Sequence, residues 1–112
     1  MAQDFERYGL NAVGTSATDV HTSNSDDAII SVRLANITTS TINADVFITS
    51  SVTGGSQNHY LIKNAPIVAG GSLELIDGGS KIVLESGDVV KAQSDTASSL
   101  SVWMSVVDAI ST

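Results

Sequence analysis

Apolar and polar residues alternate along much of this chain with a period of two residues. The clearest run is SLSVWMSVVDAI, near the C-terminus. Its apolar face is formed by Leu100, Val102, Met104 and Val106, and Trp103 points to the opposite side. Successive side chains of a β-strand point to opposite faces of a sheet, so a period of two indicates a strand with one buried face.

Two earlier runs show the same alternation. In AIISVRLAN one face is formed by Ile30, Val32 and Leu34, and in ADVFITSSV one face is formed by Val46, Ile48 and Ser50. No window of useful length has apolar residues at the spacings of three and four that a helix requires. The alternation therefore predicts strands throughout.

A glycine-rich stretch, GGSLELIDGGSKIVLESGD, joins several short apolar runs. If Leu75 pairs with Ile82 and Leu73 with Leu84, the connection falls on DGGS, where Gly78 and Gly79 can adopt the positive φ values of a two-residue hairpin. VAGGS supplies a looser turn before this hairpin, and ESGD turns the chain into VVKAQS. The stretch is predicted to be a meander of short antiparallel strands.

Further turn clusters recur roughly every ten residues, a spacing typical of small all-β domains. With 112 residues the chain has room for one domain and one core. We predict an all-β fold, an antiparallel two-sheet sandwich or jelly roll of about eight or nine short strands. Residues 1–8 are predicted to be an N-terminal arm, mobile or partner-binding, and residues 9–112 a single β-sandwich domain.

The charge and composition of the chain restrict the classes of partner that it is expected to bind. The formal net charge is −7 and the sequence pI is about 4.3. The five basic residues are scattered along the chain, whereas binding to phosphate or to an anionic membrane needs clustered Lys and Arg. We therefore expect no nucleic-acid and no membrane partner. The start MAQDFERYG lacks the apolar core of a signal peptide, and no apolar run approaches the ~20 residues of a membrane span.

Residues suited to chemistry are few. His21 and His59 are the only histidines, there is no cysteine, and no metal-ligand spacing joins them, so both are interpreted as surface or loop residues. Asp26 and Asp27 are interpreted as solvent-exposed residues at the start of a strand. Asp77 and Asp88 are interpreted as turn residues whose side chains cap their own backbone. No G-x-S-x-G motif or phosphate loop is present. We expect no enzymatic activity, no catalytic residues, no metal and no cofactor.

Aromatic residues offer the best candidates for a contact surface. Trp103, with Val107 on the same face of its strand, either packs between two sheets or anchors a subunit contact, because Trp is enriched at interface hot spots. The arm adds two aromatic rings. The candidate subunit contacts are Trp103, Val107, Phe5 and Tyr8. Phe47, Tyr8 and Tyr60 are spaced too widely in the sequence to predict a stacking platform for bases or sugars.

Several motifs carry a family resemblance in their order along the chain: VGTSATDVHT, DDAIISVRLAN, YLIKNAPI, GGSLEL, KIVLESGDVV and SVWMSVVD. In this order the chain resembles small β-rich virion proteins of tailed bacteriophages, particularly the contractile-tailed phages of marine cyanobacteria. The resemblance covers nearly the whole chain beyond residue 8. Each motif is a turn or a strand, so their succession carries the resemblance.

The resemblance implies a virion structural protein without enzymatic activity. One site is the head exterior, as a decoration or cement protein, and the acidic charge favours this exterior position. The other is the tail, neck or fibre apparatus, where a receptor- or glycan-binding module is the alternative. The expected partners are the major capsid protein or other virion proteins. By analogy the protein is a homo-oligomer, a trimer, made in the host cytoplasm and displayed on the virion surface.

Overall fold

The structure, a computed structural model, describes residues 4–50, 57–76 and 82–108. Within these ranges the chain forms nine β-strands: β1 (Asp4–Val13), β2 (Thr18–Thr22), β3 (Asp27–Asn36), β4 (Ile42–Ser50), β5 (Gln57–Ile67), β6 (Ser72–Glu74), β7 (Ile82–Leu84), β8 (Val89–Ser94) and β9 (Leu100–Asp108). Every strand pairing is antiparallel.

Two sheets pack face to face. The five-stranded sheet has the order β1-β9-β3, and both β6 and β7 pair with the other edge of β3. The four-stranded sheet has the order β2-β8-β4-β5. Because most connections cross from one sheet to the other, strands that are consecutive in sequence seldom pair. This is the strand order of a jelly roll, and it confirms the predicted all-β sandwich of eight or nine strands.

The core lies between the two inner faces, as the alternation predicted for β9 and β4. The inward residues of β9 are almost completely buried: Leu100, Val102, Met104 and Val106. On β4, Val46, Ile48 and Ser50 are likewise buried. The predicted face of β3 needs a correction. Its register against β9 shifts between Ile29 and Ser31, so Ile29 is buried with Val32 and Leu34, whereas Ile30 is only half-buried.

The hairpin predicted around DGGS is wrong. Strand β6 pairs with residues 33–35 of β3 and β7 with residues 27–29 of the same strand. Leu73 therefore opposes Leu34, and Leu84 opposes Asp27, instead of each other. β3 is ten residues long, so its free edge accommodates two three-residue strands end to end. Gly78 and Gly79, like Asp77, lie outside the described residues.

The turns at VAGGS and ESGD form where they were predicted, with positive φ angles of 71° at Gly70 and 97° at Gly87. Both, however, carry the chain between sheets. The first leads from β5 in the four-stranded sheet to β6 in the five-stranded sheet, and the second leads from β7 back to β8. The stretch is therefore not the meander that the sequence predicted, because glycine specifies where a chain can turn and not which strand it pairs with next.

Strand β1 includes most of the segment predicted to be an arm. Its register with β9 is regular from Asp4 opposite Asp108 to Leu10 opposite Val102. Tyr8 and Leu10 pack against the core. Residues 4–8 thus belong to the sandwich as part of an edge strand, and the boundary drawn at residue 8 does not mark the start of the folded domain. Residues 1–3 lie outside the described residues.

Candidate functional site

Trp103 lies on the outer face of the five-stranded sheet, and 51% of its surface is exposed. The interpretation that it packs between the two sheets is therefore wrong. Its ring covers Gly9, the residue opposite it on β1. A Cβ atom at position 9 would lie 3.0 Å from Cε3 of Trp103. Glycine at this position lets the indole ring pack closely against the neighbouring strand.

A row of apolar residues crosses the same outer face. Phe5 on β1 opposes Val107 on β9, which opposes Ala28 on β3, which in turn opposes Val83 on β7. We call these four residues the apolar row. Phe5 is 81% exposed and Val83 62%, Val107 is half-buried and Ala28 is buried. The row runs from one edge of the sheet to the other.

Three of the four predicted contact residues share this face: Phe5, Val107 and Trp103. Tyr8 does not, because its ring points toward the other side of β1 and stacks on His21, with the ring centroids 4.1 Å apart. The residues that the sequence did not single out are Val83, Ala28 and the arginines. Their place on the face depends on strand register, which the sequence pattern does not reveal.

Both arginines of the chain lie on this outer face. Arg33 opposes Trp103, and its Nε lies 3.4 Å from Oε1 of Glu74 on β6. The Glu74 carboxylate also accepts hydrogen bonds from Ser31 Oγ, at 3.1 Å, and from the backbone of Val32. Arg7 opposes Ser105, is exposed, and has no ion-pair partner among the side chains that the structure describes.

The outer face of the four-stranded sheet differs in chemistry. Lys91 lies 3.8 Å from Asp19. Phe47 and Tyr60 oppose each other across β4 and β5, with the ring centroids 4.9 Å apart, and Lys63 lies over the Tyr60 ring at 4.5 Å. Phe47 and Tyr60, which are too widely spaced in the sequence to predict a stacking platform, are therefore neighbours in the fold. Phe47 is only 4% exposed, so this pair covers its own sheet.

A buried polar cluster joins β2 and β3. His21 Nε2 lies 3.0 Å from Asp27 Oδ2, and both side chains are buried. Ser23 Oγ donates to the same oxygen at 2.8 Å, and Ser25 Oγ donates to Oδ1 at 2.9 Å. The readings of His21 as a surface residue and of Asp27 as solvated are wrong, because the carboxylate is satisfied by these neighbours instead of by water.

The order of contacts in this cluster is not that of a catalytic triad. In a triad the histidine stands between the serine and the carboxylate, so that it can take the hydroxyl proton. Here Asp27 stands between Ser23 and His21. The arrangement provides the buried Asp27 carboxyl group with hydrogen-bond partners and positions the turn from β2 into β3.

A groove of about 390 Å³ opens at one end of the sandwich, bordered by Ile48, Ser50, His59, Leu84, Glu85 and Asp88. His59 lies on β5 and is half-buried, and its Nε2 is buried without a hydrogen-bond partner among the residues that the structure describes. Asp88 accepts from Ser50 Oγ at 2.8 Å and from the backbone of Glu85 at 3.0 Å, which confirms its predicted turn-capping role.

Within residues 4–50, 57–76 and 82–108, no three His, Asp or Glu side chains are grouped so that they could hold a metal ion. The same part of the chain contains no helix long and apolar enough to span a membrane.

Comparison with known proteins supports the assignment of the fold. No protein-family model and no curated protein matches the chain. One solved structure that matches is a protein from Bacillus endospore appendages, which are described as a novel family of disulfide-linked pili. The match covers 98% of this chain and 88% of that one, at 19% sequence identity and a TM-score of 0.51. At this identity the likeness supports the shared β-sandwich fold.

Proposed function

We propose that this chain is a non-enzymatic virion structural protein of a tailed bacteriophage, a decoration or cement protein on the head exterior. The observation that carries the proposal is the outer face of the five-stranded sheet of the jelly roll, where Trp103, Phe5 and both arginines are exposed. Trp, Phe and Arg are enriched in protein–protein interfaces. The family resemblance of the sequence motifs supplies the phage setting.

The structural neighbour supports an assembly role in general terms, since the appendages to which it belongs are pili. The disulfide linkage named for those pili is not open to this chain, which has no cysteine. Any assembly of this chain must therefore be held by contacts other than disulfide bonds. In a particle with many copies, modest contacts suffice, because several contacts that form together hold a subunit with a higher avidity than any single contact provides.

The expected partners are the major capsid protein and further copies of this chain, in homo-oligomers that are trimers by analogy. The net charge of −7 supports an exterior position, because the phosphates of packaged DNA would repel a protein as acidic as this one. The mechanism is passive: the domain binds across subunit boundaries and adds contacts that the shell alone lacks.

A component of the tail, neck or fibres is the second candidate, including a receptor- or glycan-binding module. The pairing of Phe47 with Tyr60 favours it, because Tyr60 is 43% exposed and aromatic rings can stack on sugars. The position of Lys63 over the Tyr60 ring weighs against a free stacking surface. Reproducible glycan-array binding that is lost in Tyr60→Ala would establish this candidate.

The test is the copy number of the protein in purified particles of the phage that encodes it, by quantitative mass spectrometry against the major capsid protein. We expect hundreds of copies, with immunogold labelling on the head. Hundreds of copies with label along the tail would indicate a repeating tail layer. About a dozen copies would indicate the neck, baseplate or fibres, because these structures have low symmetry numbers. Absence from clean particles would overturn the virion proposal.

A further inference from the structure

We propose that the outer face of the five-stranded sheet binds a second copy of this chain through a twofold, face-to-face contact. The inference deepens the proposed function and rests on it for its setting, a particle that carries many identical subunits. It names the surface, the occupant and the residues that meet. The strand register of the sheet carries the argument.

The first step is the type of residue on this face. Trp103, Phe5, Arg7 and Arg33 lie here, and these types are enriched at interfaces. By contrast, both lysines in the described part of the chain, Lys63 and Lys91, belong to the four-stranded sheet. Lysine is depleted at interfaces, in part because fixing its long side chain is costly in entropy. Of the two faces, the five-stranded one has the composition of a contact surface.

The second step is the continuity of the apolar row. Scattered exposed apolar residues are ordinary, but contiguous ones indicate interaction sites. Phe5, Val107, Ala28 and Val83 are direct neighbours across four strand positions, and the two end residues, Phe5 and Val83, are the most exposed. The next row in the direction of Trp103 contains Arg7, Ser105 and Ser31. Small serines at its centre leave room for an opposing surface to approach.

The third step is self-complementarity. Consider a twofold axis that lies in the plane of the contact, runs parallel to the strands and passes between β9 and β3. This axis sets β1 of one copy against the β6–β7 edge of the other, and β9 of one copy against β3 of the other. Each row of paired residues keeps its position along the strand direction. Phe5 then faces Val83 of the second copy, and Val107 faces Ala28. Apolar residues thus meet apolar residues along the entire row.

The same axis also matches the charges. Glu74 extends its carboxylate from β6 to Ser31, the level of Arg7, so Arg7 faces Glu74 of the second copy. At the next level Trp103 faces Arg33 of the second copy, since these two residues oppose each other within one sheet. Arginine stacks favourably on an indole ring. A contact surface that complements itself in both polarity and charge fits an isologous pair.

The fourth step is size. Four strand positions about 4.8 Å apart and nine residues with a rise of about 3.3 Å give a face of roughly 600 Å² per copy. Two such faces bury roughly 1,200 Å², the lower limit of specific protein interfaces. We therefore expect a dissociation constant in the micromolar range for the isolated protein, and tighter association within a multivalent particle. A twofold pair also differs from the trimer expected by analogy.

The first experiment is sedimentation equilibrium of the full chain between about 1 and 500 µM. We expect a monomer–dimer equilibrium. Phe5→Ser should raise the dissociation constant at least tenfold, since it removes an exposed apolar residue from the row. The matched control is Tyr60→Ser on the opposite sheet, which should change the constant less than twofold. A chain that stays monomeric, a trimer, or equal effects of Phe5→Ser and Tyr60→Ser would overturn the proposal.

The second experiment uses the absence of cysteine to test the geometry. Single variants Phe5→Cys and Val83→Cys are prepared separately, mixed and treated with a bismaleimide cross-linker, because facing sheets lie about 10 Å apart, beyond the reach of a disulfide. Because the axis sets position 5 against position 83 of the second copy, the mixture should yield cross-linked dimers, whereas either variant alone should yield far fewer. A mixture of Tyr60→Cys with Val83→Cys is the control and should remain unlinked. Linkage of Phe5→Cys to itself, or no linkage in the mixture, would overturn the twofold arrangement.

These measurements separate this inference from the proposed function. Both substituted side chains are exposed, and circular dichroism and thermal melts verify that each variant is folded. If the protein is present in purified particles but does not pair, the virion role stands and this contact fails. If it pairs as described but is absent from particles, the contact stands and the virion role fails.

Discussion

The two outer faces of the sandwich use their aromatic residues in opposite ways. On the four-stranded sheet, Phe47 is buried beneath its neighbours and pairs with Tyr60, and Lys63 lies over the Tyr60 ring. On the five-stranded sheet, Phe5 and Trp103 are left exposed. One face buries its phenylalanine beneath its own side chains, whereas the other leaves its phenylalanine and tryptophan largely in contact with water.

This difference has an energetic meaning. Exposed apolar area costs roughly 25 cal/mol per Å² relative to burial, so the free chain gains nothing from leaving Phe5 in water. The stability of the five-stranded sheet comes from its inner face, from β9 and from the His21–Asp27 cluster next to β1. Four tests probe the contrast between the two faces, in order of decreasing effect.

The largest effect is expected for Asp27→Ala, which would show that the five-stranded sheet depends on buried contacts. Removing the carboxylate leaves His21, Ser23 and Ser25 without their shared acceptor. A buried polar group that loses its hydrogen-bond partner costs about 1–3 kcal/mol, and three side chains lose one here, so the midpoint of urea unfolding should fall steeply. Asp19→Ala, at an exposed ion pair, is the control and should change stability by less than about 1 kcal/mol. Equal losses of stability in Asp27→Ala and Asp19→Ala would show that the buried cluster contributes no more stability than an exposed ion pair.

The second test compares the two phenylalanines. Phe47→Ala should lower the free energy of unfolding by about 3 kcal/mol, because it empties a buried site. Phe5→Ala should change it by less than about 0.5 kcal/mol, since surface substitutions have small effects. Chemical denaturation of the two variants measures both values. A large loss in Phe5→Ala would mean that this ring packs within the monomer and is not reserved for a contact.

Gly9→Ala tests the covering of β1 by Trp103. The new Cβ would stand 3.0 Å from the indole ring, which must move outward by a few tenths of an ångström. Reduced freedom of the unfolded chain offsets this cost, so we expect a stability change within about 1 kcal/mol. The single tryptophan of the chain makes the readout simple. Its fluorescence should shift to longer wavelength, and unchanged emission would contradict the packing on Gly9.

The smallest effect concerns Asp95, in the loop from β8 to β9 that joins the two sheets. Hydrogen bonds from the backbone of Asn43 and from Thr96 hold the pKa of Asp95 below its usual 3.8. A lowered pKa contributes stability above the unfolded value, and this contribution is lost as the pH falls through the folded value. Carboxyl NMR titration should therefore find that Asp95 is still ionised as the pH falls below 3.8. As the pH is lowered through that range, the Asp95→Asn variant should lose less stability than the wild-type chain loses. A normal pKa would contradict these hydrogen bonds.

Some features of the fold could be predicted from the chain alone. The period-two alternation of β9 and β4 predicted which side chains enter the core, because the pleat of a strand enforces that period whatever its neighbours. The glycines at 70 and 87 marked turns for the same local reason, a backbone conformation that other residues adopt at a cost. These are properties of a few consecutive residues, and they survive in any sheet arrangement.

Pairing between distant strands was beyond the reach of local pattern. The short runs around Leu73 and Leu84 suit a hairpin as well as they suit the edge of β3, and only the closed sandwich with its long central strand selects the second. Likewise, the burial of His21 depends on Tyr8 and Asp27, which come from other strands.

Trp103 shows both sides of this division. The sequence by itself determined that its side chain opposes the core face of β9, since its neighbours on either side are Val102 and Met104. The tertiary structure decided that the opposite side is an open face, shared with the apolar row and two arginines, because strand register and sheet order place residues from β1, β3 and β7 beside it. Alternation is a property of one strand, but a surface is formed by all the strands that border it.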